Sequence, residues 1–178
     1  VVSTDGKKTR QVVENGIEAL KAVWHRGAID ADGKTGDGAG IHIEISSEFF
    51  IEKIESRGHN HDGSDVCIGM IFLPRNDYSA QEACRIIVES ELTKNNYKIY
   101  GWRQVPVNPS VLGEKAEATR PEIAQVLFTQ NDKSVVGKKL ERNLYEIRRK
   151  IENECIKKQL NNFYICSFSS KSIIYKGM

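Results

Sequence analysis

Apolar residues recur at helical spacing in four stretches of the chain, and each stretch predicts an amphipathic helix. The four predicted helices cover residues 9–24, 46–54, 79–92 and 138–156. In the third of them, Ser79 and Glu82 have the spacing of a capping box, in which each side chain bonds the other residue's backbone amide. Ser46 or Ser47 can cap the second helix, and Gly27 is expected to end the first.

Short apolar runs between these helices predict strands. The predicted strands cover residues 41–45, 66–73, 97–107, 123–128, 163–168 and 172–175. The last two are predicted to form a hairpin around residues 169–171, whereas residues 113–121 show neither period and are predicted to be irregular. Because strands and helices alternate without clean strand–helix–strand repeats, the pattern predicts an α+β fold with a mainly antiparallel sheet.

The segment from His25 to Gly40 separates the first predicted helix from the first predicted strand. It contains five glycines, three aspartates, an arginine and a lysine, and it shows no apolar period. Glycine permits close approach of the backbone to a ligand, and functional groups concentrate on loops held by rigid elements. We therefore predict that this loop borders a functional site rather than being a long solvated turn.

The same glycines do not form a nucleotide-binding loop. Such a loop needs the pattern G-x-x-x-x-G-K-[ST] between a strand and a helix. Gly33, Lys34 and Thr35 match the end of that pattern, but position 28 is alanine where the first glycine is required. The flanking elements are also in the reverse order, so nucleotide binding is not predicted.

Three side chains of the loop have more than one interpretation. Arg26 can bond the last carbonyls of the preceding helix, or its planar guanidinium can orient a carboxylate or a catalytic group. Asp32 and Asp37 can form a general acid–base pair, or each can bond backbone amides within its own turn. The turn roles are favoured for the aspartates, and the residues alone leave the role of Arg26 open.

Composition limits the class of protein. The chain has 178 residues, of which 39% are hydrophobic and 28% charged, as in one globular domain. Its net charge of +2 argues against a nucleic-acid partner, which requires a clustered basic face. The basic residues between positions 148 and 158 alternate with glutamates, which predicts a solvated helix face. No apolar run reaches membrane-spanning length and no signal peptide is visible, so a cytoplasmic protein without a membrane partner is expected.

No metal site is predicted from the histidines and cysteines. His59, His61 and Asp62 lie in one polar stretch without a nearby cysteine or further histidine, so an exposed loop is the favoured interpretation. The cysteines at positions 67, 84, 155 and 166 show no metal-ligand spacing. Three of them lie in apolar runs and are predicted to be buried thiols, whereas Cys155 is predicted to lie on the polar side of its helix and to react faster.

Several longer motifs resemble a single family. They are GIEALKAVWHRG at 16–27, ADGKTGDGAGI at 31–41, YGWRQVP at 100–106, ATRP at 118–121, FYICS at 163–167 and IIYKGM at 173–178. Together they make the whole chain similar, in one register, to the N-terminal class II glutamine amidotransferase domain of bacterial, NADPH-type glutamate synthase large subunits. This resemblance implies a four-layer αββα sandwich of the N-terminal-nucleophile hydrolase type, with mainly antiparallel sheets.

The resemblance also implies an activity and a site. The domain hydrolyses glutamine to glutamate and ammonia, and the ammonia is transferred to 2-oxoglutarate. Within the His25–Gly40 loop, the resemblance assigns Arg26 to the glutaminase active site as a catalytic residue. The further candidates for the active-site loop are His25, Gly27, Asp32, Lys34, Thr35, Asp37 and Gly38.

Members of this family use an N-terminal cysteine as the nucleophile and its own α-amino group as the base. No cysteine of this chain matches that nucleophile, and the family's oxyanion hole lies downstream of position 178. We therefore expect residues 1–178 to be part of a single amidotransferase domain that lacks its nucleophile and its C-terminal half, and to be inactive alone. The alternative is a binding module without a nucleophile that senses glutamine or holds a partner.

The resemblance places no cofactor on this segment. It implies FMN and an iron–sulfur cluster for the full large subunit, and FAD and NADPH for a small partner subunit. The implied partners of the chain are therefore glutamine as substrate, the rest of the large subunit and the small subunit.

Overall fold

The structure is a computed structural model that describes residues 1–7 and 9–177. Its helices are α1 (Arg10–Ala22), α2 (Ser47–Glu55), α3 (Tyr78–Lys94), α4 (Glu114–Thr119) and α5 (Gly137–Lys157). Its strands are β1 (Ala39–Glu44), β2 (Cys67–Leu73), β3 (Tyr97–Gln104), β4 (Glu122–Gln130), β5 (Tyr164–Ser169) and β6 (Ser172–Gly177). Short 3-10 turns follow α1 at Trp24–Arg26 and precede α4 at Pro109–Val111. Each predicted helix and strand is therefore present, with its ends shifted by a few residues.

The contacts divide the chain into two compact units. The loop unit, as we call it, consists of residues 1–43 and 108–120 and of the C-terminal residues from Tyr175 onward. The core unit consists of residues 44–107 and 121–174. Helices α1 and α4 belong to the loop unit, and α2, α3, α5 and the larger sheet belong to the core unit.

The larger sheet is antiparallel and has the strand order β3-β4-β2-β5. In its middle, Gly69 of β2 faces Val126 of β4 on one side and Phe168 of β5 on the other. A Cβ atom at position 69 would lie 2.7 Å from the Val126 side chain and 2.8 Å from the Phe168 ring. Glycine is required there because two large neighbours fill the space that a side chain would take.

The hydrophobic core of this unit is formed by the sheet together with α3 and α5. Helices α3 and α5 pack on each other, α3 packs on β3, and α5 packs on β5. The predicted stripe of α5 is confirmed, since Leu140, Leu144, Ile147 and Ile151 are all buried. Burial of such a stripe stabilises a helix more than its intrinsic propensity does. The mixture of helices and antiparallel strands confirms the predicted α+β class, and the four-layer order stays a prediction.

The predicted hairpin between β5 and β6 is wrong. Strand β5 pairs with β2, while β6 pairs with β1 in a separate two-stranded sheet. Side chains hold the connection between them: the Ser169 hydroxyl and the Ser170 amide donate to the Glu141 carboxylate, at 2.7 and 2.8 Å. The Ile174 amide donates to the Ser167 hydroxyl at 3.1 Å. The backbone therefore turns out of the larger sheet instead of folding back along β5.

The predicted capping box of α3 is also wrong. The helix begins at Tyr78, and its cap is Asp77, whose carboxylate accepts a hydrogen bond from the Ala80 amide at 2.8 Å. Ser79 therefore lies inside the first turn. Aspartate is as strong a cap as serine, and it stands two positions earlier, so it starts the helix first.

Residues 113–121, predicted to be irregular, contain helix α4. The helix has good helix formers in the run Glu-Lys-Ala-Glu-Ala. Only Ala116 is buried among its described residues, so the helix has no apolar period by which it could be found. Periodicity alone misses a helix this short.

The charged side of α5 is confirmed as a solvated face, and the prediction for Cys155 is wrong. Arg148 and Arg149 both pair with Glu152, the former at 2.8 Å. Cys155 lies four residues after Ile151 and therefore continues the buried stripe. Among the described residues, no helix is long and apolar enough to cross a membrane.

Candidate functional site

The His25–Gly40 loop begins where α1 gives way to a single 3-10 turn. The Arg26 amide donates to the Val23 carbonyl at 3.0 Å, and the Gly27 amide donates to the Trp24 carbonyl at 3.0 Å. Gly27 has extended backbone angles and ends this 3-10 turn. The prediction that Gly27 ends the first helix is wrong, because α1 already ends at Ala22 and is capped by Val23. This short turn fixes the backbone on both sides of Arg26, so the guanidinium projects from an ordered position.

The Arg26 side chain is exposed. Within residues 1–7 and 9–177, its guanidinium has no hydrogen bond or ion pair, so it does not bond the last carbonyls of the helix. His25 beside it is exposed as well. All five guanidinium donors of Arg26 are therefore free to meet a carboxylate or an amide carbonyl.

The middle of the loop folds into a small antiparallel hairpin. Ile29 bridges Gly36, and the Asp30 amide donates to the Thr35 carbonyl at 2.8 Å. Gly33 closes the tip with a positive φ of 68° and donates its amide to the Asp30 carbonyl at 2.9 Å. Glycine adopts this left-handed conformation without the strain of a Cβ. The middle of the loop is thus a hydrogen-bonded turn rather than an irregular connection.

The two candidate aspartates have turn roles. One oxygen of the Asp32 carboxylate accepts from the Lys34 amide at 2.9 Å and from the Thr35 amide at 2.7 Å, and the other accepts from the Thr35 hydroxyl at 2.5 Å. Asp37 accepts from the Ala28 amide at 2.8 Å. Each carboxylate thus bonds backbone amides of its own part of the loop, which is the turn alternative rather than an acid–base pair.

These hydrogen bonds lower the pKa of the Asp32 carboxyl to about 2 from its ordinary 3.8, and the largest cause is the Thr35 hydroxyl. The ionised form favours the folded loop at pH values above 3.8, and this contribution is lost as the pH falls to about 2. We expect Thr35→Ala to raise the Asp32 pKa towards 3.8, as measured by the pH titration of its carboxyl carbon in NMR spectra. Ser134→Ala is the matched control, because that serine lowers the pKa of Asp132 in the same way. An unchanged Asp32 pKa in Thr35→Ala would contradict the assigned hydrogen bond.

The structure brings some of the predicted loop residues together and leaves others apart. Asp32, Lys34 and Thr35 meet at the tip of the hairpin, and Asp37 lies against Gly27, whose Cβ position is 3.9 Å from the Asp37 carboxylate. His25 and Arg26 stand at the base of the loop. Gly38 adopts a positive φ of 82° just before β1.

Two residues outside the loop were missed by sequence reasoning. Lys115 of α4 binds both oxygens of Asp30, at 2.8 and 2.7 Å. Gly113 lies directly against Asp32 and Thr35. The helix formers of α4 could have indicated the helix itself. Neither contact could have been found from a single sequence, because about eighty residues separate the partners and no period connects them.

The polar stretch around His59 and His61 is not the exposed loop that was predicted, because both histidines are half-buried. Both histidine rings pack edge-on against Tyr100, and Asp62 accepts from Ser64 and pairs with Lys133 at 3.2 Å. Among the residues that the structure describes, no group of three or more histidine, cysteine or acidic side chains could hold a metal ion. Asp62 instead lines an open cavity of about 220 Å³ together with residues of β4 and of the start of α5.

None of the cysteine thiols is accessible. Cys67, Cys84, Cys155 and Cys166 are all buried, and none of them forms a disulfide. Burial is the largest of the causes that raise the pKa of the Cys67 thiol, and the negative charges of Glu141 and Asp65 add to it. A buried thiol with a raised pKa is a poor nucleophile. Because all four thiols are buried, none of them can reach a substrate in the folded protein.

We expect the cysteine thiols to react slowly with a maleimide or a disulfide reagent in the native protein, and all of them to react at once in denaturant. Burial blocks the reagent, and it opposes the thiolate that attacks. Mass spectrometry of the labelled peptides identifies the site. The Cys155 peptide is the most informative one, and rapid native labelling there would contradict the placement of Cys155 in the buried stripe of α5.

Comparison with known proteins gives a consistent result over the whole chain. The sequence profile described as "Glutamine amidotransferases class-II" matches residues 1–178. The large chain of NADPH glutamate synthase from Azospirillum brasilense is 56% identical over 178 residues, which are 100% of this chain and 12% of the relative. Ferredoxin-dependent glutamate synthase 2 from Synechocystis is 38% identical, and the chloroplastic enzyme of Spinacia oleracea is 34% identical, each over 100% of this chain and 11% of the relative. The chain thus spans about an eighth of the length of the relatives it matches.

Proposed function

Because the chain belongs to the class II glutamine amidotransferases, we propose that it is part of the glutaminase domain of a glutamate synthase. The observation that supports this most strongly is the 56% identity to a glutamate synthase large chain along the entire 178 residues. In this proposal glutamine and water are converted to glutamate and ammonia, and the ammonia then reacts with 2-oxoglutarate at another part of the full protein. Residues 1–178 are part of one amidotransferase domain.

The proposed chemistry needs a thiolate from an N-terminal cysteine, which this family uses with its own α-amino group as the base. The thiolate attacks the side-chain amide carbon of glutamine, ammonia leaves, and water hydrolyses the resulting thioester to glutamate. The buried thiols of residues 1–178 do not supply this group. We therefore expect the 178-residue chain alone to hydrolyse no glutamine.

In this proposal, Arg26 is the catalytic residue contributed by the chain. Its exposed guanidinium projects from an ordered turn and has no partner within the described residues. A planar fork of donors binds a carboxylate with two parallel hydrogen bonds. Arg26 would thus hold the glutamine substrate or the group that attacks it. The remaining loop residues from His25 to Gly38 shape the backbone around it.

The proposal extends to the cofactors and partners of the full protein. FMN and an iron–sulfur cluster belong to other parts of the large subunit, and FAD and NADPH belong to a small subunit. NADPH is favoured over ferredoxin as the electron donor of the full protein, because this chain is 56% identical to an NADPH enzyme and 38% identical to a ferredoxin-dependent one. We place the assembled enzyme in the cytoplasm.

The full-length protein that contains this chain tests the proposal. Supplied with glutamine labelled with ¹⁵N in its side-chain amide, it should release labelled ammonia and, with 2-oxoglutarate and an electron donor, form labelled glutamate. Glutamine labelled only at its α-amino group is the matched control and should give unlabelled ammonia. Binding of glutamine without hydrolysis, measured by calorimetry, would replace the proposed enzyme by the alternative of a glutamine-sensing module.

A further inference from the structure

Two residues of the α4 segment contact the His25–Gly40 loop from a distant part of the sequence. Gly113 is the residue before α4, and Lys115 lies in its first turn. Both belong to the loop unit, as the loop itself does. Gly113 packs its backbone against the loop tip, and Lys115 forms an ion pair with Asp30.

Glycine is required at position 113 because the loop tip leaves no room for a side chain, and not because of the backbone angles there. Its φ of −76° and ψ of 165° are angles that any residue adopts. A Cβ atom at this position would lie 2.2 Å from an Asp32 carboxylate oxygen, 2.2 Å from the Thr35 hydroxyl and 2.7 Å from the Thr35 backbone amide. Those three atoms are the ones whose hydrogen bonds close the loop tip. Any side chain at position 113 therefore displaces the tip.

Lys115 ties the other side of the hairpin to the same helix. Its ammonium lies 2.8 and 2.7 Å from the two oxygens of Asp30. The Asp30 backbone forms both hydrogen bonds of the hairpin, one to Thr35 and one from Gly33. The ion pair therefore holds the backbone residue on which the loop closure depends.

The hairpin in turn fixes the base of the loop. Ile29 bridges Gly36, and the next residue towards Arg26, Ala28, donates its amide to Asp37. The Gly27 amide continues this sequence by donating to Trp24. A shift of the tip is thus transmitted through consecutive hydrogen-bonded residues to Arg26.

We propose that Gly113 and Lys115 are positioning residues, which hold the His25–Gly40 loop and thereby place Arg26 for glutamine hydrolysis. The inference rests on the proposed glutaminase function. Neither residue contacts substrate in this proposal, and both act through the loop. A misplacement of about 1 Å at a reacting group is enough for a rate loss of about a hundredfold.

The test uses Gly113→Ala in the full-length protein, with Gly16→Ala as the matched control. At position 16 a Cβ atom meets only Ile41, at 3.9 Å, and the helical backbone favours alanine. We expect Gly113→Ala to lower kcat/KM for glutamine about tenfold or more, while ammonia-dependent glutamate synthesis stays within about twofold. Gly16→Ala should leave both activities unchanged. Equal activity of Gly113→Ala and the unsubstituted protein with glutamine would overturn the inference.

Substitutions of Lys115 give a second test, which does not depend on whether the methyl group added by Gly113→Ala can be accommodated. Its ion pair with Asp30 is partly exposed, with 67% and 35% of the two side chains accessible, so Lys115→Met is expected to fold. We expect Lys115→Met to lower kcat/KM for glutamine about twofold to fivefold and Lys115→Arg to restore it, because an arginine also pairs with a carboxylate. A loss in Lys115→Arg as large as in Lys115→Met would overturn the role of the ion pair.

Amide hydrogen exchange tests the contact of Gly113 with the loop without relying on glutaminase activity. It therefore distinguishes a wrong positioning role from a wrong proposed function. We expect the peptide covering residues 28–37 to exchange faster in Gly113→Ala than in the unsubstituted protein, and to be unchanged in Gly16→Ala. Exchange that is the same in all three proteins would overturn the positioning role, whatever the activity. Faster exchange in a protein that hydrolyses no glutamine would leave the loop contact supported and would refute the glutaminase function.

Discussion

Arg26→Lys is expected to lower glutamine-dependent glutamate synthesis by the full-length protein about a hundredfold, the size of the loss when one oriented transition-state donor is removed. Lysine keeps the positive charge but lacks the planar fork that binds two oxygens at once. Ammonia-dependent synthesis bypasses the hydrolysis of glutamine and should therefore stay near the level of the unsubstituted protein. The ratio of the two rates is the measurement.

Arg10→Lys is the matched control for this substitution. Arg10 is also exposed and belongs to the loop unit, but it pairs with Glu14 on the surface of α1, at 3.2 Å. The control should leave both activities unchanged. An equal loss of both activities in Arg26→Lys would make Arg26 a structural residue of the loop, and no loss of either would remove it from the active site.

Leu144→Ala is expected to lower the free energy of unfolding by about 2–5 kcal/mol, the range for removing a large apolar side chain from a packed core. Leu144 lies in the middle of α5 and is completely buried against the core of the larger sheet. The substitution leaves a cavity that its rigid neighbours fill only in part. Urea unfolding of the 178-residue chain, followed by circular dichroism, measures the change.

The adjacent residue of the same helix provides the control. Tyr145 is 62% exposed, and Tyr145→Ala is expected to change the free energy of unfolding by no more than about 0.5 kcal/mol. The two substitutions differ in burial while sharing the helix and the sequence context. Equal effects of Leu144→Ala and Tyr145→Ala would contradict the burial of the α5 stripe and the core built on it.

Sequence periodicity predicted those parts of the fold that are local. The stripe from Leu140 to Ile151 indicates α5 because a buried helix face needs an apolar residue at nearly every turn. The short run ending at Leu73 indicates β2 because a strand covered on both faces is apolar throughout. Neither inference requires knowledge of what lies on the other side of the core.

The partners of these elements could not be predicted in the same way. The pairing of β5 with β2 rather than β6 depends on side-chain bonds from Ser169 and Ser170 to Glu141, which lies almost thirty residues earlier in the chain. The burial of Cys155 follows from where the stripe of α5 ends, and charged neighbours conceal it in the sequence. Apolar periodicity describes a single segment of the chain, whereas strand pairing and burial depend on contacts between two segments.

The candidate site likewise has a local part that the sequence predicts and contacts between distant residues that it does not predict. The aspartates of the His25–Gly40 loop were predicted to have turn roles, and the bonds of Asp32 to amides within three residues of itself confirm this role. The contacts of Gly113 and Lys115 with this loop arise only in the folded chain. The assignment of Arg26 to the active site depends on the resemblance to the family, and the structure adds that its guanidinium is exposed and free of partners within the described residues.

The most direct test is a crystal structure of the full-length protein after reaction with a diazoketone analogue of glutamine, which alkylates the nucleophilic thiolate and marks the glutaminase site. We expect the Arg26 guanidinium to lie at hydrogen-bond distance, about 3 Å, from the bound analogue or from the group that it alkylates. We also expect the His25–Gly40 loop to form one wall of that site. An analogue bound at a place that neither Arg26 nor this loop contacts would contradict the assignment of both to the glutaminase site.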